Sequence, residues 1–319
     1  MRDTRLILIE GLPGSGKSTT AQWLCHLLEG SGVAARWFHE QDTHHPVYRY
    51  DELQAAARRS ASDCGAYHAH ARVRWSRLAG TLTGGGDITL LDGSFLQTPL
   101  VSMQLAGCDA AAISAHVREV ERLVSAARPT LILLRQADTA AAFERMRGRR
   151  GPEFERYLIE TVGETRWGRR HEVRNSDGVL AAMTAFAALV DTTVAALTIP
   201  VIAVDVSGGD WHACRRQIAA RLSIPCADVP AGPAAPPSFA GRYRASGASH
   251  ELVVASDAAG LFLDPTGTRL LPRGENTFEL EGLSVALTFE GAGDQPDRIV
   301  CAARLPHFDT VWVRVHGAA

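Results

Sequence analysis

An apolar run that stops at a glycine-rich octapeptide fixes the start of this chain. Leu6 to Ile9 leads into Gly11-Leu12-Pro13-Gly14-Ser15-Gly16-Lys17-Ser18. Ala21, Leu24, Leu27 and Leu28 follow and share one face at helical spacing. A strand, a glycine loop and a helix in that order leave few folds open. The glycines let backbone N–H groups curl inward, and the helix N-terminus adds partial positive charge, so the loop is suited to cradle phosphate. Lys17 is the only lysine among 33 Lys and Arg residues. A planar guanidinium cannot fill the space of a compact ammonium wrapped by such a loop.

Further apolar runs predict buried strands at Val33 to Phe38, Ile88 to Leu91, Leu131 to Leu134 and Ile199 to Val204. Helical spacing lies between them. Ile113, Val117, Val120 and Val124 form one stripe; Val179, Met183, Phe186, Val190 and Val194 form another. Strands alternating with helices predict an α/β fold, a five-stranded parallel sheet with helices on both faces. This domain is expected over residues 1–224. Residues 225–237 hold five prolines and predict a semi-rigid linker. Residues 238–319 then change period. Short alternating runs at 241–244, 251–255, 261–263, 277–280, 284–289, 298–303 and 310–315, with turn signals between them, predict a small antiparallel all-β barrel or sandwich.

The formal net charge of −2 gives no basic field, so no nucleic-acid partner is expected. No uninterrupted apolar run approaches the roughly 20 residues of a membrane span, so no membrane partner is expected. The N-terminus lacks a signal peptide's length and cleavage site. The six cysteines contain no Cys-x-x-Cys pair and read as mostly reduced thiols of a cytoplasmic protein.

Four local features over about residues 5–222 resemble the P-loop small-molecule kinases, a group that includes nucleoside, nucleotide, gluconate and adenylylsulfate kinases. The first is the loop. By resemblance Gly11, Pro13, Gly14, Ser15, Gly16, Lys17, Ser18 and Thr19 would hold ATP, with Lys17 on the β- and γ-phosphates and Ser18 on Mg²⁺. The second is Glu40-Gln41-Asp42 after the second strand, where this group often places an acidic residue against the acceptor hydroxyl. Asp42 or Glu40 would be the general base, or would orient the acceptor and a metal-bound water, with Glu40 also a candidate on the substrate side. The third is Ile88-Thr89-Leu90-Leu91-Asp92-Gly93-Ser94, which looks like a Walker B strand. Asp92 would hold Mg²⁺ through water or act as the base, and Ser94 would face the substrate. Asp92-Gly93-Ser94 departs from the Asp-Arg-Tyr of thymidylate kinases. The fourth is Arg145-Met146-Arg147-Gly148-Arg149-Arg150-Gly151-Pro152, which resembles the arginine lid that closes over the transferring phosphoryl. Arg145, Arg149 and Arg150 are its candidates. Between strands two and three, Arg72 and Arg74 on a predicted helix are candidates for binding the acceptor.

The chain has no Leu-Ser-Gly-Gly-Gln and no second lysine for a guanine-reading Asn-Lys-x-Asp. The C-terminal runs resemble the lipocalin-like domains appended to some serine β-lactamase-type proteins, a module expected to shape the acceptor pocket, to form a homodimer, or only to stabilise the chain. Together the resemblances imply a Mg-ATP-dependent kinase acting on a small-molecule hydroxyl acceptor, such as a natural product or antibiotic. A nucleoside or nucleotide kinase, and a regulatory ATPase signalling through the barrel, remain alternatives.

Overall fold

A computed structural model describes residues 4–48, 64–84, 86–226, 237–245, 251–291, 295–305 and 311–315. The chain divides into two compact units. One comprises residues 1–40 and 45–226; the other comprises 41–44 and 227–319. The short segment after Glu40 therefore belongs with the C-terminal unit, which the sequence-derived boundary at 224 does not show. Most of the proline-rich stretch lies outside the described residues.

The first unit is built on a parallel sheet of β1 (Leu6–Gly11), β2 (Ala35–Phe38), β3 (Ile88–Asp92), β4 (Thr130–Arg135) and β5 (Val201–Asp205). Their spatial order is β2-β3-β1-β4-β5. All six residues of β1 are buried, as expected of a central strand covered on both faces. Its side chains alternate between two cores. Ile7 and Ile9 pack with Leu24 and Leu28 of α1 (Lys17–Gly30) and Ile218 and Leu222 of α8 (Trp211–Leu222). Leu6 and Leu8 belong to the opposite core, with Trp75 of α2 (Cys64–Thr83), Leu100 and Met103 of α3 (Gln97–Leu105), Val117 and Val120 of α4 (Ala110–Val124) and Phe186 of α7 (Ser176–Ala195). The chain thus leaves β1 toward one face and the adjacent β3 toward the other. In open α/β sheets, ligands bind beyond the carboxyl ends of the strands at such a point of divergence.

Helix α5 (Thr139–Gly163) carries the arginine run. It is helical through Gly148 and breaks at Gly151, whose φ of 79° suits glycine, just before Pro152. Helix α6 (Arg166–Arg170) and α7 follow. By length and composition α7 could cross a membrane, although polar residues interrupt its apolar run. Its stripe Val179, Ala182, Met183, Phe186 and Val190 is buried against the rest of the unit.

Two of the six cysteines depart from the expectation of mostly reduced thiols. Cys64 and Cys108 form a disulfide that ties the start of α2 to the turn before α4. They lie 44 residues apart, so only the packing of those helices brings them together. Cys25, Cys214, Cys226 and Cys301 form no disulfide among the described residues.

The second unit is a closed antiparallel barrel. Its strands are β6 (Gly241–Ala245), β7 (Glu251–Asp257), β8 (Gly260–Asp264), β9 (Thr268–Pro272), β10 (Thr277–Leu280), β11 (Val285–Glu290), β12 (Arg298–Ala303) and β13 (Val311–Arg314). Each pairs with the next, and β13 closes on β6. The alternating runs had marked seven of these strands. The remaining strand, β9, carries Pro272 at its last position, where a strand tolerates proline. Period-two alternation places Val285, Leu287 and Phe289 inward. Phe239 stacks on Phe289 with centroids 4.8 Å apart, and Phe278 and Tyr243 meet the same ring edge-on. The architecture is compatible with the lipocalin-like expectation. Its interior is packed with rings, as small barrels fill their cores.

Candidate functional site

The glycine loop sits at the carboxyl end of β1. Gly14 and Gly16 have φ of 77° and 83°, the left-handed region that lets successive N–H groups point inward. A Cβ on Gly11 would lie 2.6 Å from the Leu134 carbonyl oxygen, and one on Gly16 would meet the Trp211 ring at 2.4 Å. Loop and neighbours therefore fit only with glycine at these positions. Helix α1 begins at Lys17 with no side-chain cap and no acidic residue in its first turn. Its orphan N–H groups and positive end are left to an anion. Lys17 is buried, and its Nζ donates to the Leu12 carbonyl at 3.0 Å, curling over the loop that surrounds it.

Asp92 ends β3 directly beside β1, paired in register with Ile9. It is fully buried. Its Oδ1 accepts the Glu40 N–H at 2.8 Å. Its Oδ2 is buried with no hydrogen-bond partner among the described residues. Burial holds its carboxyl above the ordinary aspartate range. His39, Ser18 and Lys17 draw it back down, whereas Glu40 pushes it further up. Lys17, Ser18, Glu40 and Asp92, four residues singled out from sequence, are thus brought together.

Ser94 is also at this end of β3, but it faces inward. Its hydroxyl donates to the Asp92 carbonyl and meets His45 Nε2 at 2.9 Å. His45 Nδ1 accepts the N–H groups of Val47 and Tyr48, so Nε2 carries the proton and donates to Ser94. Burial pushes the His45 imidazole down to about 3, helped by His39 and Arg74. The ring is therefore a neutral brace.

The remaining candidates lie elsewhere. Asp42 is buried in the C-terminal unit; its Oδ1 accepts the His44 N–H at 2.8 Å, and its Oδ2 is 3.2 Å from Arg304 Nε. Thr43 N–H also donates to the Arg304 carbonyl. Arg72 is exposed; the Glu119 carboxyl is held low first by its hydrogen bond with Arg122, with Arg72 adding a smaller pull. Arg74 donates to the Val47 carbonyl, bracing the chain after His45. In the arginine run, Met146 packs against Gly14, bringing α5 onto the loop. Arg147 is spent on Glu144 and Glu155. Arg150 lies over the Phe154 ring, whereas exposed Arg145 has no ion pair among the described residues. The backbone of Arg149 is helical; its side chain lies outside the described residues.

Sequence reasoning passed over Glu10 and Gln97. Glu10 is the last residue before the loop, and it is fully buried. Its two carboxylate oxygens accept N–H groups from Phe95 at 2.6 Å and Gln97 at 2.9 Å. Burial pushes its carboxyl up to about 7, against the pull of those N–H groups and Lys17. A charged residue closing an apolar run was the available signal. Gln97 Nε2 donates to Glu40 Oε2 at 2.7 Å, and its buried Oε1 has no partner among the described residues.

The donor set suits a hard cation only together with a ligand. Among the described residues no three His, Cys, Asp or Glu side chains are grouped to hold a metal. The orphaned Asp92 Oδ2 and the Ser18 hydroxyl fit Mg²⁺, which keeps waters and takes one or two protein oxygens plus phosphate. No protein-family model matches the chain, and no curated protein matches it.

Proposed function

We propose that the first unit is a Mg-ATP-dependent phosphotransferase acting on a hydroxyl of a small molecule. One observation carries the reading: a buried lysine inside a left-handed glycine loop at an uncapped helix start, beside a buried aspartate with one uncommitted oxygen. The loop amides from Gly11 to Thr19 and the Lys17 ammonium would bind the phosphates. Ser18 and Asp92 would hold Mg²⁺, which when bound neutralises charge on the transferring phosphoryl. Glu40, on the substrate side of the cluster, would orient the acceptor hydroxyl. Arg145, with Arg149 and Arg150 as its neighbours on α5, would close over the equatorial oxygens. Asp42 is not given the base role here, because its carboxylate is engaged by Arg304.

The test is a phosphoryl-transfer screen with labelled ATP against nucleosides, sugars, aminoglycosides and other hydroxylated antibiotics. Transfer by the wild type, and loss by both Lys17→Ala and Lys17→Arg with folding intact, supports the reading. Unchanged transfer by either variant overturns it. A regulatory ATPase is the alternative, favoured by the Asp42–Arg304 pair within the barrel's unit. Acceptor-independent hydrolysis with a nucleotide-dependent change in partner binding would select it.

A further inference from the structure

Glu10, Gln97, Glu40 and Asp92 are linked in a closed circuit. The Gln97 N–H donates to Glu10 Oε2, and the Gln97 side chain donates to Glu40 Oε2. The Glu40 N–H donates to Asp92 Oδ1. Gly93, next in chain to Asp92, donates its N–H to the carbonyl of Ile9, next in chain to Glu10. Every link is 2.9 Å or shorter. The circuit joins the strand that feeds the glycine loop to the turn that carries the aspartate.

Glu10 closes the circuit in an unusual way. Helix α3 has Leu96 at its N-cap position, and that side chain cannot cap. The carboxylate of Glu10 supplies the missing acceptor from another strand, bridging the N–H groups on either side of Leu96. With both oxygens so engaged, Glu10 is placed to hold groups rather than to take a substrate proton. Its own burial is costly, and a plain helix cap could have come from a Ser or Asp at position 96. What the distant carboxylate adds is registry between the loop and the β3 turn.

We propose that Glu10 is a positioning residue that sets Asp92 against Ser18, so that the metal-binding pair is assembled only while the Glu10–Gln97–Glu40 circuit is closed. The inference rests on the Mg-nucleotide reading above. Outer partners of metal ligands typically carry about 10–100-fold in metal affinity. Glu10→Gln keeps one acceptor and turns an NH₂ group toward the other backbone N–H. Gln97→Ala leaves Glu10 capped but cuts the link to Glu40.

The experiment titrates ATP into each protein by calorimetry, with and without Mg²⁺, and follows Mn²⁺ binding to the ADP complex by electron paramagnetic resonance. Thermal unfolding of each variant is measured alongside. Metal-free ATP should bind all three proteins alike, while the Mg²⁺-dependent tightening and the Mn²⁺ affinity should fall about 10-fold or more in both variants. A merely structural cap would lower the melting temperature of Glu10→Gln and leave the metal dependence as in the wild type, which overturns the inference. Normal metal dependence in Gln97→Ala overturns it too, and decides the matter if Glu10→Gln does not fold. A wild type that binds no ATP under either condition overturns the phosphotransferase reading itself.

Discussion

The two units bury different things. In the first, Glu10, Lys17, His39, His45, Asp92, His116 and Glu121 are all nearly inaccessible to water. In the second unit the buried polar side chains among the described residues are Asp42, paired with Arg304, and Ser284, and Phe239, Tyr243, Phe278, Phe289 and Trp312 fill the barrel's centre. Burying a charge is expensive and is sustained only by dense hydrogen bonding or by use. Much of the first unit's cost is concentrated at the carboxyl ends of β1 and β3, where a ligand would bind. The barrel spends its interior on packing. The contrast is one of interiors: buried ionisable groups in the first unit, packed rings in the barrel.

The sharpest way to break this contrast is Lys17→Ala. Loss of one charged partner of a developing anion should lower turnover by about 10²–10³-fold or more, with the denaturation midpoint nearly unmoved. Equal damage to stability would show that the loop is a structural element. Phe289→Ala should do the opposite, costing about 3–5 kcal/mol in unfolding experiments while nucleotide affinity stays at the wild-type value. A change in that affinity would mean that the barrel core reaches into the chemistry.

The pH dependence of stability should come mostly from the first unit. His45 stays neutral in the fold because burial, then His39 and Arg74, push it down to about 3, whereas the unfolded chain takes up the proton near its usual 6.5. Its contribution is complete above about pH 6.5 and is lost as pH falls toward 3, by at most about 5 kcal/mol. His116, pushed down to about 4 by burial, acts in the same direction. Glu10 acts in reverse: its raised carboxyl favours the fold below its usual range, and that part is lost as pH rises toward about 7. His45→Gln should flatten the acid limb of stability against pH, read by urea denaturation from pH 4 to 8; an unchanged limb would refute this role. The smallest effect is expected on the barrel surface. Removing the Glu251 carboxylate that joins Arg242 and Arg244 should lower stability only slightly, and the effect should fade with salt.

Most of the architecture was legible because it depends on local period. The five apolar runs became the five parallel strands, and the Ile113–Val124 stripe is the buried face of α4. Lys17, Ser18, Glu40 and Asp92 were legible as strand-end or loop residues, and they converge. The misses share a cause, which is partners distant in sequence. Asp42 looked like a strand-end carboxylate, but Arg304 occupies it. Cys64 and Cys108 meet only because α2 and α4 pack together. Glu10 read as the end of a strand, since the N–H groups that hold it belong to Phe95 and Gln97.

The solitary lysine has a practical consequence. A reagent that acylates side-chain amines finds a single target in this protein, and that target is buried in the glycine loop with its ammonium folded onto Leu12. Modification there would need the loop to open. The rate at which the chain takes up one acyl group, read as a mass increment on Lys17, therefore clocks that opening directly, with no competing side-chain amine to dilute the signal.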